Sequence, residues 1–139
     1  MSPLVLDASV ALAWLLGEEG RSGAEQALAR LRDGDAMVPL LWHLEVRNGL
    51  LVAMRRGRIG AGGPQERLGA LGDLPIRTDM HPDLETAFAL AERHALSFDD
   101  AVYLELAGRH AAPLATLDNA LARAAEAEGL TLVCAPGGG

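Results

Sequence analysis

The 139 residues are half apolar and 22% charged, the make-up of one globular domain, and no apolar run approaches the ~20 residues of a membrane helix. Twelve basic residues against 19 acidic ones leave a net charge of −7, which excludes binding of nucleic acid through a broad basic surface. Every basic residue is Arg, so a Walker A phosphate loop, Schiff-base chemistry and phosphoryl transfer through a lysine ammonium are excluded too.

In chain order, Leu4-Val5-Leu6 reads as a short strand ending at Asp7, and Ser9 opens a helical run, Val10 to Leu16, before Gly17. Ser22 to Asp33 spaces Ala24, Ala27, Leu28 and Leu31 as a helix does, and Ala36-Met37-Val38 follows as a strand. Leu40 to Arg56 is a long helix closed by Gly57, and Pro64 suits the first turn of another ending near Gly72. Pro75-Ile76-Arg77-Thr78 is a third strand, Leu84 to His94 an Ala-rich helix, and Ser97 an N-cap for Phe98 to Arg109. Leu114-Ala115-Thr116 is strand-like, Asn119 to Glu128 is a helix stopped by Gly129, and Leu130 to Val133 is a last strand. Strands alternating with helices imply an α/β fold with a mainly parallel sheet covered on both faces. Residues 1–135 are expected to form this single domain and 136–139, with three terminal glycines, a flexible tail. The single Cys134 can form no internal disulfide and reads as a small buried hydrophobe near a strand end. No basic stretch precedes the first apolar segment, and Asp7 interrupts it, so no secretory signal is expected and the chain reads as cytoplasmic.

Ligands of open parallel sheets bind beyond the carboxyl ends of the strands. Asp7 and Asp118 each follow an apolar strand run, so neighbouring strands would bring both to one rim; capping of the next helix explains an Asp there equally well. Asp99 and Asp100 share the first turn of their helix. At about 100° per residue, Glu105 and Arg109 mark a solvent face, whereas Asp100 points the other way with Tyr103, Leu104 and Ala107. An inward carboxylate is costly unless paired or bound to a cation, so Asp100 is the functional candidate and Asp99 is explained by dipole and solvent. Glu45 and Asn48 share a face of a helix that is apolar almost all round, which leaves open whether Glu45 meets the rim or water. His43, His81, His94 and His110 have no ligand spacing. Arg47, Arg55, Arg56 and Arg58 form the densest basic stretch and are the candidates for phosphate contact, with a solvated helix end as the alternative. Trp14, Trp42 and Phe88 read as core aromatics, and Leu50, Leu51 and Met54 as surplus apolar surface for core or interface.

Together, Leu6-Asp7-Ala8-Ser9, Leu44-Glu45-Val46-Arg47-Asn48, Ser97-Phe98-Asp99-Asp100-Ala101-Val102-Tyr103 and Ala115-Thr116-Leu117-Asp118 resemble the PIN-domain ribonucleases, specifically the VapC-type toxins of toxin–antitoxin pairs. The resemblance spans nearly the whole chain and implies a PIN-like three-layer sandwich. It assigns the acidic quartet to Asp7, Glu45, Asp100 and Asp118 as catalytic and metal-binding residues, with Ser9, Asn48 and Thr116 in support. Asp99 departs from the pattern, adding a charge beside the site. The implied activity is Mg²⁺-dependent endonucleolytic cleavage of RNA to 5′-phosphate and 3′-hydroxyl ends, with Mn²⁺ as a substitute. The implied partners are RNA, a small antitoxin and a second copy of the chain, with no membrane. Physically, four gathered carboxylates repel unless cations bind, and oxygen-only ligation suits Mg²⁺ or Mn²⁺, which can polarise a phosphate, activate water and stabilise a leaving oxygen. Two rivals stand beside this reading. A Mg²⁺-dependent phosphotransfer domain is opposed by the missing lysine and by Asp7-Ala8-Ser9, which has no second Asp two residues on; a non-catalytic PIN-like interaction module is opposed by the intact acids.

Overall fold

The computed structural model describes residues 3–17, 24–31 and 34–134. Its elements are β1 (Leu4–Leu6), α1 (Ala8–Leu15), α2 (Ala24–Arg30), β2 (Ala36–Pro39), α3 (Leu40–Arg55), α4 (Gly63–Gly72), β3 (Ile76–Asp79), α5 (Leu84–His94), α6 (Phe98–His110), β4 (Leu114–Ala115), α7 (Asn119–Ala127) and β5 (Leu132–Cys134). The five strands form one parallel sheet in the order β3-β2-β1-β4-β5. The chain therefore winds outward from β1 through β2 to β3, then returns to place β4 on the other side of β1. Right-handed crossovers put α1 to α4 on one face and α5 to α7 on the other, in keeping with the packing of α1 on α2 and α3 and of α6 on α5 and α7. The order of strands reverses between β1 and β4, where parallel sheets open a crevice for ligands.

β1 is buried throughout because it is central and covered on both faces; Val5 and Leu6 are sealed among Val10, Val38, Leu104 and Leu114. α1 and α3 meet at Gly49, where an added Cβ would fall 2.6 Å from a Leu12 methyl. Among the described residues no helix is long and apolar enough to cross a membrane.

Several expectations needed correction. α1 begins at Ala8 with Asp7 in the N-cap position, one residue before Ser9. β5 begins at Leu132 because Gly129 (φ +79°) and Leu130, whose N–H reaches Ala125 O at 2.9 Å, are used to terminate α7. Phe88 is 58% exposed, since α5 turns its small side, with Ala87 and Leu90, toward the protein; Trp42 is core and Trp14 half-buried. Glu105 is only 3% exposed rather than on a solvent face. It accepts two bonds from Arg109, both 2.8 Å, and one from the Asp83 backbone N–H, and Arg109 also clasps Asp79 at the end of β3. Residues 101–107 are buried all round α6, so the expected solvent face at Glu105 is absent and an ion pair with Arg109 takes the place of water there. Leu50 is core, Leu51 exposed and Met54 between. Ser22, Asp33, the Cys134 side chain and the proposed tail at 136–139 lie outside the described residues.

α5 and α6 both close on an alanine in the left-handed region, Ala95 at φ 53° and Ala111 at φ 49°. A Cβ there costs roughly 1–2 kcal/mol, offset in a glycine variant by about 0.4–1 kcal/mol of unfolded-chain entropy. Ala95→Gly is accordingly expected to stabilise the fold by up to about 1 kcal/mol, readable as a higher urea midpoint.

Candidate active site

Asp7 leaves the end of β1 with its N–H on Ala115 O of the neighbouring β4 (3.0 Å), so its side chain sits at the reversal of strand order. The side chain is 5% exposed and caps nothing. Instead Oδ2 accepts from Ser9 Oγ at 2.8 Å and from Thr116 Oγ1 at 2.6 Å. Each hydroxyl is itself held by a backbone donor: Leu117 N–H on Ser9 Oγ and Asp118 N–H on Thr116 Oγ1, both 3.0 Å. A hydroxyl has one proton, and with an amide filling an acceptor position that proton is turned toward Asp7. Burial pushes the Asp7 carboxyl above the usual range, and Asp118 adds to the shift against the two hydroxyls.

Asp118 follows β4 and does cap α7, accepting from Leu121 N–H at 2.8 Å. Capping and a place at the rim are thus not alternatives here. Asp100 is in the first turn of α6, its N–H on Ser97 Oγ at 3.2 Å. It is half-buried and its carboxyl is raised to about 6, by desolvation first and then by Asp118 and Asp7. Asp99, one residue away, is exposed. Glu45 comes from α3, which starts directly after β2 and so reaches the same rim. It is half-buried, and Tyr103 Oη donates to its Oε1 at 2.5 Å. Desolvation raises Glu45, Tyr103 opposes, and Asp7 and Asp99 add to the rise.

The four acids therefore gather from four elements, and the charges that act most on Asp7, Glu45 and Asp100 are one another's and those of Asp118 and Asp99. Such an oxygen-only donor set fits a hard divalent ion. The acids stand apart rather than closed into a cage: among the described residues, no three His, Cys, Asp or Glu side chains are grouped tightly enough to hold an ion as they stand. Repulsion accounts for the open spacing. Asn48 is exposed one turn along α3 from Glu45. Arg47 is exposed, with Nη1 on its own helix at His43 O (3.1 Å). Arg55, Arg56 and Arg58 are not brought to the acids, because α3 runs away from the rim and a rise of 1.5 Å per residue puts Arg55 about 15 Å beyond Glu45. Tyr103, read from sequence only as an inward residue, is the contact that orients Glu45; their separation of 58 positions left no local signal.

The acid cluster has a consequence for stability. Holding its proton up to about 6 rather than 3.8, Asp100 favours the folded state at low pH, and that contribution is lost as pH rises from about 4 to 6. With the side chain half open to water, screening leaves a cost of about 1–2 kcal/mol at pH 7. Metal-free Asp100→Asn is expected to melt a few degrees higher than the parent at pH 7, with no gain at pH 4, in thermal scans made in EDTA.

The PIN domain family profile matches residues 4–127. Ribonuclease VapC3 of Pyrobaculum aerophilum is 33% identical over 122 residues, covering 86% of this chain and 92% of that protein. Among solved structures, PAE2754 from Pyrobaculum aerophilum superposes with a TM-score of 0.70 at 20% identity, over 88% of this chain and 84% of that one. A toxin–antitoxin complex from Klebsiella pneumoniae gives 0.58 at 21% identity, over 84% and 87%. The family profile over residues 4–127 and the 33% identical relative show that the chain belongs to the PIN-domain family, in its VapC-type branch.

Proposed function

We propose that the protein is a metal-dependent endoribonuclease, the toxin of a toxin–antitoxin pair. The observation that carries this reading is the convergence of Asp7, Glu45, Asp100 and Asp118 on the crevice between β1 and β4, their carboxylates acting on one another. Asp7, Asp100 and Asp118 would hold Mg²⁺, or Mn²⁺ in its place, with Glu45 completing the set. An ion held there would supply positive charge to polarise the scissile phosphate and to ease loss of a water's proton to solvent, so that the hydroxide could attack phosphorus as the P–O3′ bond breaks, leaving 5′-phosphate and 3′-hydroxyl ends. Ser9 and Thr116 hold Asp7 Oδ2 and so fix a carboxylate that would help to hold the ion. Arg47 on α3 would meet an RNA phosphate, with Arg55 at the end of that helix and Arg56 and Arg58 in the turn beyond it for flanking backbone. The ribonuclease name of the 33% identical relative supports the substrate, and the Klebsiella complex supports an antitoxin partner. A homodimer in the cytoplasm completes the reading; exposed Leu40 and Leu44 on α3 and Leu84 and Phe88 on α5 offer apolar surface for a second copy.

The test is incubation of the purified, antitoxin-free protein with total cellular RNA in Mg²⁺, Mn²⁺ or EDTA. Fragments with 5′-phosphates that appear only with metal are expected. Absence of cleavage in every RNA pool, with no Mn²⁺ binding, would replace the nuclease with a non-catalytic interaction module.

A further inference from the structure

We infer that Tyr103 is a positioning residue that ties Glu45 on α3 to α6, the helix that carries Asp100, an inference that rests on the metal-site reading above. The Tyr103 ring is fully buried on α6, while its hydroxyl reaches the rim and donates to Glu45 Oε1 at 2.5 Å.

The single phenol proton is turned toward Glu45. Ser9 and Thr116 fix Asp7 within the β1–β4 crevice, whereas Tyr103 ties Glu45 on α3 to α6, the helix that carries Asp100. Glu45 needs such a tie more than Asp7 does. It is half-exposed, has three side-chain torsions, and is repelled by Asp7 and Asp99. Without the phenol its lowest-energy course is outward, into water and away from the other acids. A rigid ring anchored in the core opposes that movement, and removal of outer partners of this kind typically weakens metal binding about 10–100-fold.

The experiment is a double-mutant cycle of Tyr103→Phe and Glu45→Gln with two readouts: urea midpoints in EDTA and Mn²⁺ affinity by calorimetry. Phenylalanine keeps the ring, so the core stays filled. Tyr103→Phe is expected to weaken Mn²⁺ binding at least about tenfold in the parent and less than about twofold in the Glu45→Gln background. The urea midpoints should show the same non-additivity without metal. Equal loss of Mn²⁺ affinity in both backgrounds, or none in the parent, would overturn the positioning role. If the parent binds no Mn²⁺, the metal-site reading fails. The metal-free cycle then still decides this inference, with additive midpoints breaking the link between Tyr103 and Glu45.

Discussion

Asp100→Asn is expected to slow RNA cleavage by about 10²–10³-fold while Asp99→Asn stays within about threefold of the parent. The two acids are adjacent in sequence and differ by about 100° around α6. Asp100 is half-buried and feels Asp118 and Asp7 most strongly after desolvation, which puts its carboxyl inside the cluster. Asp99 is exposed, and its charge is felt at the edge, by Glu45. An ion held by the cluster contributes several kcal/mol of transition-state charge stabilisation, and each 1.36 kcal/mol is tenfold in rate. Amide for carboxylate at Asp100 removes both a negative charge and an oxygen from that ion's surroundings. The check is a time course of fragment formation for the three proteins at saturating Mg²⁺, with melting scans to confirm folding. The pH dependence follows from the same group. Metal must displace the proton that Asp100 holds up to about 6, so apparent Mg²⁺ affinity should fall as pH drops below that value. Equal losses in both variants would place Asp99 inside the cluster and refute the helical-face assignment.

The second large effect is on stability. Glu105→Ala is expected to destabilise the fold by about 3 kcal/mol, seen as a shift of the urea midpoint at constant slope. Removing one partner of a buried pair typically costs about 3–5 kcal/mol because the other charge is left uncompensated. Arg109 is partly open to water and keeps Asp79, which puts the effect at the low end of that range. Glu105 also accepts from the Asp83 N–H, so its loss frees the entry to α5 as well as the end of β3. Arg109 holds Asp79 below the usual carboxylate range, so the Asp79 contribution is present above pH 4 and lost on acidification through its lowered value. The Asp79 and Asp100 slopes therefore oppose each other: acid weakens the clamp while it relieves the cluster.

What the sequence disclosed and what it withheld follow from how far apart the partners are. Asp7 and Asp118 were legible because each sits at the end of an apolar strand run, and the fold places such ends along one rim. Asp100 was legible from helical phase, which depends only on its own helix. Glu45 was not, since α3 is apolar almost all round and the contact that turns it inward comes from Tyr103 on α6. Glu105 was misplaced for the same reason: phase reports a direction, and only Asp79 and Asp83, on other elements, make that direction a buried one. Phe88 misled because hydrophobicity was weighed by residue type, whereas α5 packs through alanines that let it lie close to α6. The elements themselves emerged in correct order because apolar period and punctuation by Gly, Pro, Ser and Asp are local properties.

The order of the strands has a bearing on how such a chain is made. β1, which leads into Asp7, leaves the ribosome well before β4, one of its two neighbours in the sheet. Until residue 118 has been synthesised and β4 has docked beside β1, Asp7 lacks Thr116 and the rim lacks Asp118. A growing chain can assemble α1 to α4 on β1, β2 and β3 while still holding less than half of its donor pairs around Asp7. On the proposed function, competence to cut RNA waits until the segment that carries Thr116 and Asp118 has been made. A nuclease built in this order gives its own message and the ribosome reading it a period of safety during synthesis.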